Sequence, residues 1–149
     1  MNRGIRFKIP NKWGTLLSDI LKGIKYEDYV WEIDEDEVFL EGGDFLFSTN
    51  RLSGHLFKEA ISSAIYYVVF INLQAFPCDE NICEISSYSD FIKSDCEIIM
   101  FICDNIYVDI YVKNQCIIEL LHKNAIEHKF TEIEIITDTN DTRSVFQAK

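Results

Sequence analysis

The chain opens on strict alternation: Ile5, Phe7 and Ile9 are apolar, and Arg6 and Lys8 between them are charged. That is the period of a strand with one buried face. Pro10 closes it. Trp13, Leu16, Leu17, Ile20, Leu21 and Ile24 then recur at intervals of three and four, which draws one apolar stripe on a helix. Gly23 near its end is a stop signal. "DYVWEI" predicts a second strand. Asp34-Glu35-Asp36-Glu37 reads as an acidic turn leading into "VFLEGGDFLF", where Gly42-Gly43 between apolar runs predicts a hairpin. Ser53 is placed to cap a helix whose apolar face is Leu56, Phe57, Ala60, Ile61 and Ala64.

"IYYVVFINLQAF" is nearly continuous in apolar residues, as a central strand covered on both faces requires. Pro77 to Ser87 is the longest loop, and "SYSDFIKSD" predicts a short helical turn. "CEIIMFIC" and "IYVDIYV" are joined by Asp104-Asn105, two residues that tolerate positive φ and so predict a tight hairpin. Asn114 can cap a helix carrying Ile117, Ile118, Leu121 and Ala125, and "FTEIEII" forms the last strand. The order β-α-β-β-β-α-β-(α)-β-β-α-β predicts one α+β domain over residues 1–149. It consists of a mixed, largely antiparallel sheet with about three helices packed on it. No composition break, repeat or low-complexity tract divides the chain.

Charge changes the picture. The 149 residues carry a net charge of −11, unevenly spread. Residues 3–25 hold Arg3, Arg6, Lys8, Lys12, Lys22 and Lys25 against Asp19 alone. Residues 27–44 hold Glu27, Asp28, Glu32, Asp34, Glu35, Asp36, Glu37, Glu41 and Asp44 with no base. Binding phosphate backbones needs clustered Lys and Arg, which disfavours nucleic acid and anionic membranes as partners and leaves a basic protein electrostatically permitted. The N-terminus has no apolar run suited to a signal peptide and no stretch suits a membrane span, so the expectation is a cytoplasmic protein. Cys78, Cys83, Cys96, Cys103 and Cys116 are odd in number and lack C-x-x-C spacing, which reads as reduced thiols.

"RGIRFKIPNKWGTLLSDILKGI", "YYVVFINLQAFP", "SYSDFIKSDCEIIMFICDNIYVDIYVKN" and "FTEIEIITDTNDTR" resemble a family of small proteins from Gram-positive bacteria catalogued as a domain of unknown function. The resemblance runs in order over nearly the whole chain, with segment 34–55 departing most. It implies a bacterial cytosolic single domain and carries no catalytic or binding residues onto this sequence.

Candidate chemistry is sparse. The phosphate-binding, dinucleotide and nucleophile-elbow glycine motifs are absent from the sequence. His122 and His128, six apart, do not make an i, i+4 metal pair. No catalytic residue, metal ligand or cofactor site is assigned. Three features remain. Asp34, Glu35, Asp36 and Glu37 read as a solvated turn, a docking face for a basic protein, or a cation site lacking an EF-hand register. Tyr107, Asp109 and Tyr111 share one strand face about 7 Å apart. They either line a shallow ligand pocket with Asp109 as polar anchor, or pack under neighbouring elements. "TDTNDTR" at 137–143 has the chemistry of a self-bonded Asx-type turn, with Arg143 pairing Asp138 or Asp141 or clipping the tail to the body. The leading expectation is a non-enzymatic, inhibitor- or immunity-like protein using its acidic face. The alternative is a small-ligand or sensory domain using the Tyr107 face.

Overall fold

The computed structural model describes residues 2–143, 145 and 146, and for Glu35 the backbone alone. Seven strands form one sheet in the order β3-β2-β4-β5-β6-β1-β7: β1 Gly4–Lys8, β2 Val30–Leu40, β3 Arg51–Ser53, β4 Tyr66–Phe76, β5 Ile98–Cys103, β6 Tyr107–Val112 and β7 Thr131–Ile136. Every pairing is antiparallel. Among the described residues four α-helices accompany it, α1 Leu16–Ile20, α2 Gly54–Ser62, α3 Tyr88–Lys93 and α4 Gln115–Glu127. The α+β architecture is the one the periodicity implies, with one helix more than expected.

Alternation sorts the strands into two apolar faces. Ile5, Phe7, Trp31, Ile33, Leu73, Met100, Ile102, Val108 and Ile110 point to one face and pack with Leu17 and Ile20 of α1, Phe57 and Ile61 of α2, and Ile118 and Leu121 of α4. The second face holds a smaller core of Phe76, Ile99, Phe101, Tyr111 and Ile136, closed by Phe91 of α3 and by Phe146. Thus the strands β4 and β5 are covered on both sides, which explains their unbroken apolar runs.

The local signals act as their chemistry requires. Ser53 Oγ accepts the Leu56 amide at 3.3 Å, and Asn114 Oδ1 accepts the Cys116 amide at 2.9 Å. Asp104 and Asn105 both take positive φ, 53° and 51°, in the tight link between β5 and β6. Glycine is obligatory at position 54: a Cβ there would stand 1.9 Å from the Tyr26 carbonyl oxygen. The first predicted helix is shorter than its stripe. α1 ends at Ile20, Trp13 lies outside it, and a 3-10 turn at Tyr26–Asp28 follows.

The region between 30 and 53 corrects the sequence reading. Asp34-Glu35-Asp36-Glu37 is not a turn; all four lie inside β2, which runs unbroken for 11 residues. Register shifts fall between Ile33 and Glu35 and between Glu37 and Val38, the bulges by which a strand absorbs an extra residue. Polar run and β-propensity disagreed here, and pairing with the apolar β4 won. The hairpin at Gly42-Gly43 exists, but its return arm makes a single bridge, Phe39 to Phe45, and the short edge strand is β3 further on.

Candidate functional site

Two regions gather the polar side chains. The first is on the second face, where β6, β1 and β7 lie side by side. Cross-strand register sets Arg6 opposite both Asp109 and Glu134, and Lys8 opposite Tyr107, so alternation delivers all five side chains to one surface. The chain then turns at 137–140. Asn140 Oδ1 accepts the Thr137 amide at 2.7 Å, and Asn140 Nδ2 donates to the Ile135 carbonyl at 2.8 Å. This is the self-bonded turn that "TDTNDTR" announces, and it folds the tail back over the second face.

There the tail is fastened by charge. The Asp141 side chain is 1% exposed. Its Oδ2 accepts from Arg3 Nη1 at 3.0 Å, and its Oδ1 accepts the Tyr111 hydroxyl at 2.8 Å and the Arg143 amide at 3.1 Å. Asp109 serves two guanidiniums: Arg6 Nε donates to Oδ1 at 2.8 Å, and Arg143 Nε and Nη2 each lie 3.1 Å from Oδ2. Arg143 also lies 4.4 Å over the Phe101 ring, and Arg3 lies 4.1 Å over Tyr88. Three of the four arginines in the sequence therefore converge on two aspartates. Burial, reinforced by the hydrogen bond to Asp141, pushes the Tyr111 hydroxyl far above its ordinary pKa and keeps it a donor.

Tyr107, Asp109 and Tyr111 accordingly do not form an open row. Tyr111 is fully buried beneath the tail, Asp109 is a shared counter-ion, and Tyr107 alone stays half exposed. Arg143 reaches Asp109, and meets Asp141 through its backbone amide only. Beside this clasp an open cleft of about 510 Å³ remains, lined by Arg6, Lys8, Tyr107, Asp109, Glu132 and Arg143 among others. Lys8 pairs with the exposed Glu132 at 2.7 Å, and Arg6 reaches the exposed Glu134 at 3.5 Å. Sequence reading missed Arg3 and Arg6 as clasp members. Their acidic partners lie more than 100 residues away in the chain, and no local spacing announces a contact between β1 and β6.

The second region is the acidic strand. β3 pairs with Val30, Trp31 and Glu32 alone, and segment 44–46 bonds to β2 only at Val38 and Leu40. Between them, positions 34–37 have β4 on one side and no strand on the other among the described residues. Asp34 and Glu37 are exposed, and Asn72 Nδ2 donates weakly to Asp34 at 3.5 Å. The Glu35 side chain lies outside the described residues. Asp36 is half buried, and its Oδ2 is shielded from solvent without a hydrogen-bond partner among the described residues. Glu32 is paired with Arg51, whereas Glu27, Asp28, Glu41 and Asp44 are exposed.

Burial raises the Asp36 pKa above the usual carboxylate value. A raised folded-state value means that the folded chain holds this proton more tightly than the unfolded one. The charge therefore opposes folding at neutral pH, and the penalty disappears as pH falls through the folded value to about 4, the unfolded one. Asp36→Asn is expected to stabilise the protein at pH 7, by no more than about 1 kcal/mol at this partly solvated position. Urea titrations at pH 7 and pH 3 check it: the gain should be present at pH 7 and absent at pH 3.

Among the described residues no three His, Cys, Asp or Glu side chains converge as a metal-ligand group. Nor, among the described residues, is any helix long and apolar enough to cross a membrane. Cys96 is buried and its thiol is pushed up to about 12 by that burial, whereas Cys78, Cys83 and Cys116 are exposed.

A family profile described as "Protein of unknown function (DUF2691)" matches residues 2–147. The chain is 38% identical over 149 residues to "Uncharacterized protein YncE" of Bacillus subtilis (strain 168), covering 97% of each chain. No solved structure matches the chain.

Proposed function

The chain belongs to the DUF2691 family, and from that premise and the two polar regions we propose that it is a non-enzymatic, cytoplasmic binding protein that docks a basic protein partner along β2. The observation that carries this reading is the open length of β2 at 34–37, set in a run from 27 to 44 with nine acids and no base. Strand geometry spaces alternate side chains about 7 Å apart and in line, a denser one-signed display than a flexible turn offers. Like charges this close repel one another, and the desolvated Asp36 adds a further cost; both are relieved when cations arrive. The same charges guard an unpaired edge against a second copy of the chain. They therefore select the sign of whatever approaches, and they speed its encounter at low ionic strength.

Asp34→Lys/Glu37→Lys is the direct test, because both side chains are exposed and the reversal leaves the core untouched. Glu119→Lys/Glu127→Lys on the exposed side of α4 makes the same change in net charge elsewhere. Proteins retained from a bacterial lysate by the wild type should be lost with the β2 variant, kept with the α4 variant, and released by raising salt. Equal retention by all three proteins would remove β2 as the docking edge. Equal loss with both variants would reduce the effect to net charge.

A further inference from the structure

The cleft beside the clasp points to a second site of opposite sign, and we propose that it binds a small phosphate monoester with a planar body. Its cations do not have equivalent partners. Asp109 is 13% exposed on its side chain and held at 2.8–3.1 Å by Arg6 and Arg143, so it is a fixture of the fold. Glu132 and Glu134 are 67% and 52% exposed, and each makes one contact, to Lys8 and Arg6 respectively. Exposed single-contact pairs contribute little and exchange readily with solvent ions. With those two glutamates turned to water, Arg3, Arg6, Lys8 and Arg143 are left against Asp109 and Asp141, the Asp141 Oδ1 lying 3.8 Å from Arg6 Nη2 as well, four positive charges against two negative. The surplus of two positive charges matches a phosphate monoester, which is close to doubly charged at pH 7.

The donor geometry fits an oxyanion. Arg143 directs Nε and Nη2 to Asp109 and leaves Nη1 without a partner among the described residues. Lys8 adds a point charge, and Thr142 lines the same wall. A guanidinium N–H beside an ammonium can hold phosphate oxygens through charge-assisted hydrogen bonds. The dianion brings two charges where each glutamate brings one, so it displaces them and a monocarboxylate does not. Tyr107 is half exposed, with Lys8 Nζ 5.3 Å from its ring centroid, and offers its aromatic plane to the body of the ligand. The cleft volume of about 510 Å³ lies in the range of small-molecule sites. The net −11 of the chain does not forbid this, because at physiological salt charges beyond about 8 Å are largely screened. The site shares no residue with β2 and stands independently of the docking proposal.

Amide and side-chain NMR titration with phenyl phosphate, inorganic phosphate and benzoate tests it. Phenyl phosphate should produce saturable shifts centred on Lys8, Tyr107 and Thr142, with inorganic phosphate weaker and benzoate weaker still. Lys8→Gln should weaken phenyl phosphate about tenfold, and Glu132→Gln/Glu134→Gln should tighten it about threefold by removing the competitors. Both changes are at exposed ends, so folding is kept. Tighter binding after removal of acids is a signature that a structural role for the pairs does not produce. Absence of saturable shifts in both the wild type and the glutamine variant would overturn the site. So would unchanged affinity in the glutamine variant, or equal affinity for benzoate.

Discussion

Asp141→Ala is expected to lower the free energy of unfolding by about 3 kcal/mol, at the lower end of the cost of breaking a buried ion pair by removing one partner. The loss is concentrated because one side chain, 1% exposed, satisfies three donors: Arg3 Nη1, the Tyr111 hydroxyl and the Arg143 amide. Without it the Tyr111 hydroxyl is left buried and unpaired, which is itself costly. Arg3 is 26% exposed and recovers part of its hydration, which keeps the cost from rising further. Urea denaturation followed by far-ultraviolet circular dichroism measures the change. Asp141→Asn, which keeps an acceptor for Tyr111 and discards the charge, should fall between the wild type and the alanine variant. Equal stability of all three would mean that the tail is not fastened by this residue.

Phe57→Ala should cost about 4 kcal/mol, within the range for removing a fully buried aromatic ring. Phe57 is the hub under β2. It stacks on Trp31 with ring centroids 4.3 Å apart and planes 11° apart, and it lies about 6.0 Å from both Tyr26 and Phe47. A cavity there has little means of collapse, because Trp31 is held by its ring N–H donating to the Tyr26 carbonyl at 3.2 Å. Trp31 is fully buried and Trp13 half exposed, so near-ultraviolet dichroism and fluorescence emission report the loosening of Trp31 directly. Loss of that signal at a denaturant concentration where the wild type is folded is the expected result. An unchanged midpoint would mean that α2 is not what supports β2.

The parts of the fold that local chemistry governs were legible in the residues. Alternation in "RGIRFKI" and "IYVDIYV", the Asp104-Asn105 link and the Ser53 and Asn114 caps each depend on neighbours within a few positions, and each is realised. What escaped depends on distant partners. Four consecutive acids read as a turn by propensity, yet β4 supplies Asn72, Ile71 and Phe70 as pairing partners and holds them extended. The end of α4 carries no glycine signal, because Lys129 takes φ 58° in place of one. Arg143 was read as a partner of Asp138 or Asp141, whereas its guanidinium pairs with Asp109, which lies 34 residues back in the chain and is set in place by the pairing of β6 with β1.

The two polar regions differ in kind. On the second face, Asp109 and Asp141 are shielded and spend their charge on holding the tail. On β2, among the described residues, the acids stand without bases except where Arg51 meets Glu32. A sequence scan sees both as clusters of Asp and Glu; the burial of their partners separates fastening from display.

Hydrogen exchange on the complex with a captured partner tests the docking proposal most directly. Backbone amides at 34–37 and 41–46 should exchange more slowly in the complex than in the free protein, with amides at 137–143 unchanged. Slowed exchange confined to 137–143 and β1, with 34–37 unaltered, would contradict it.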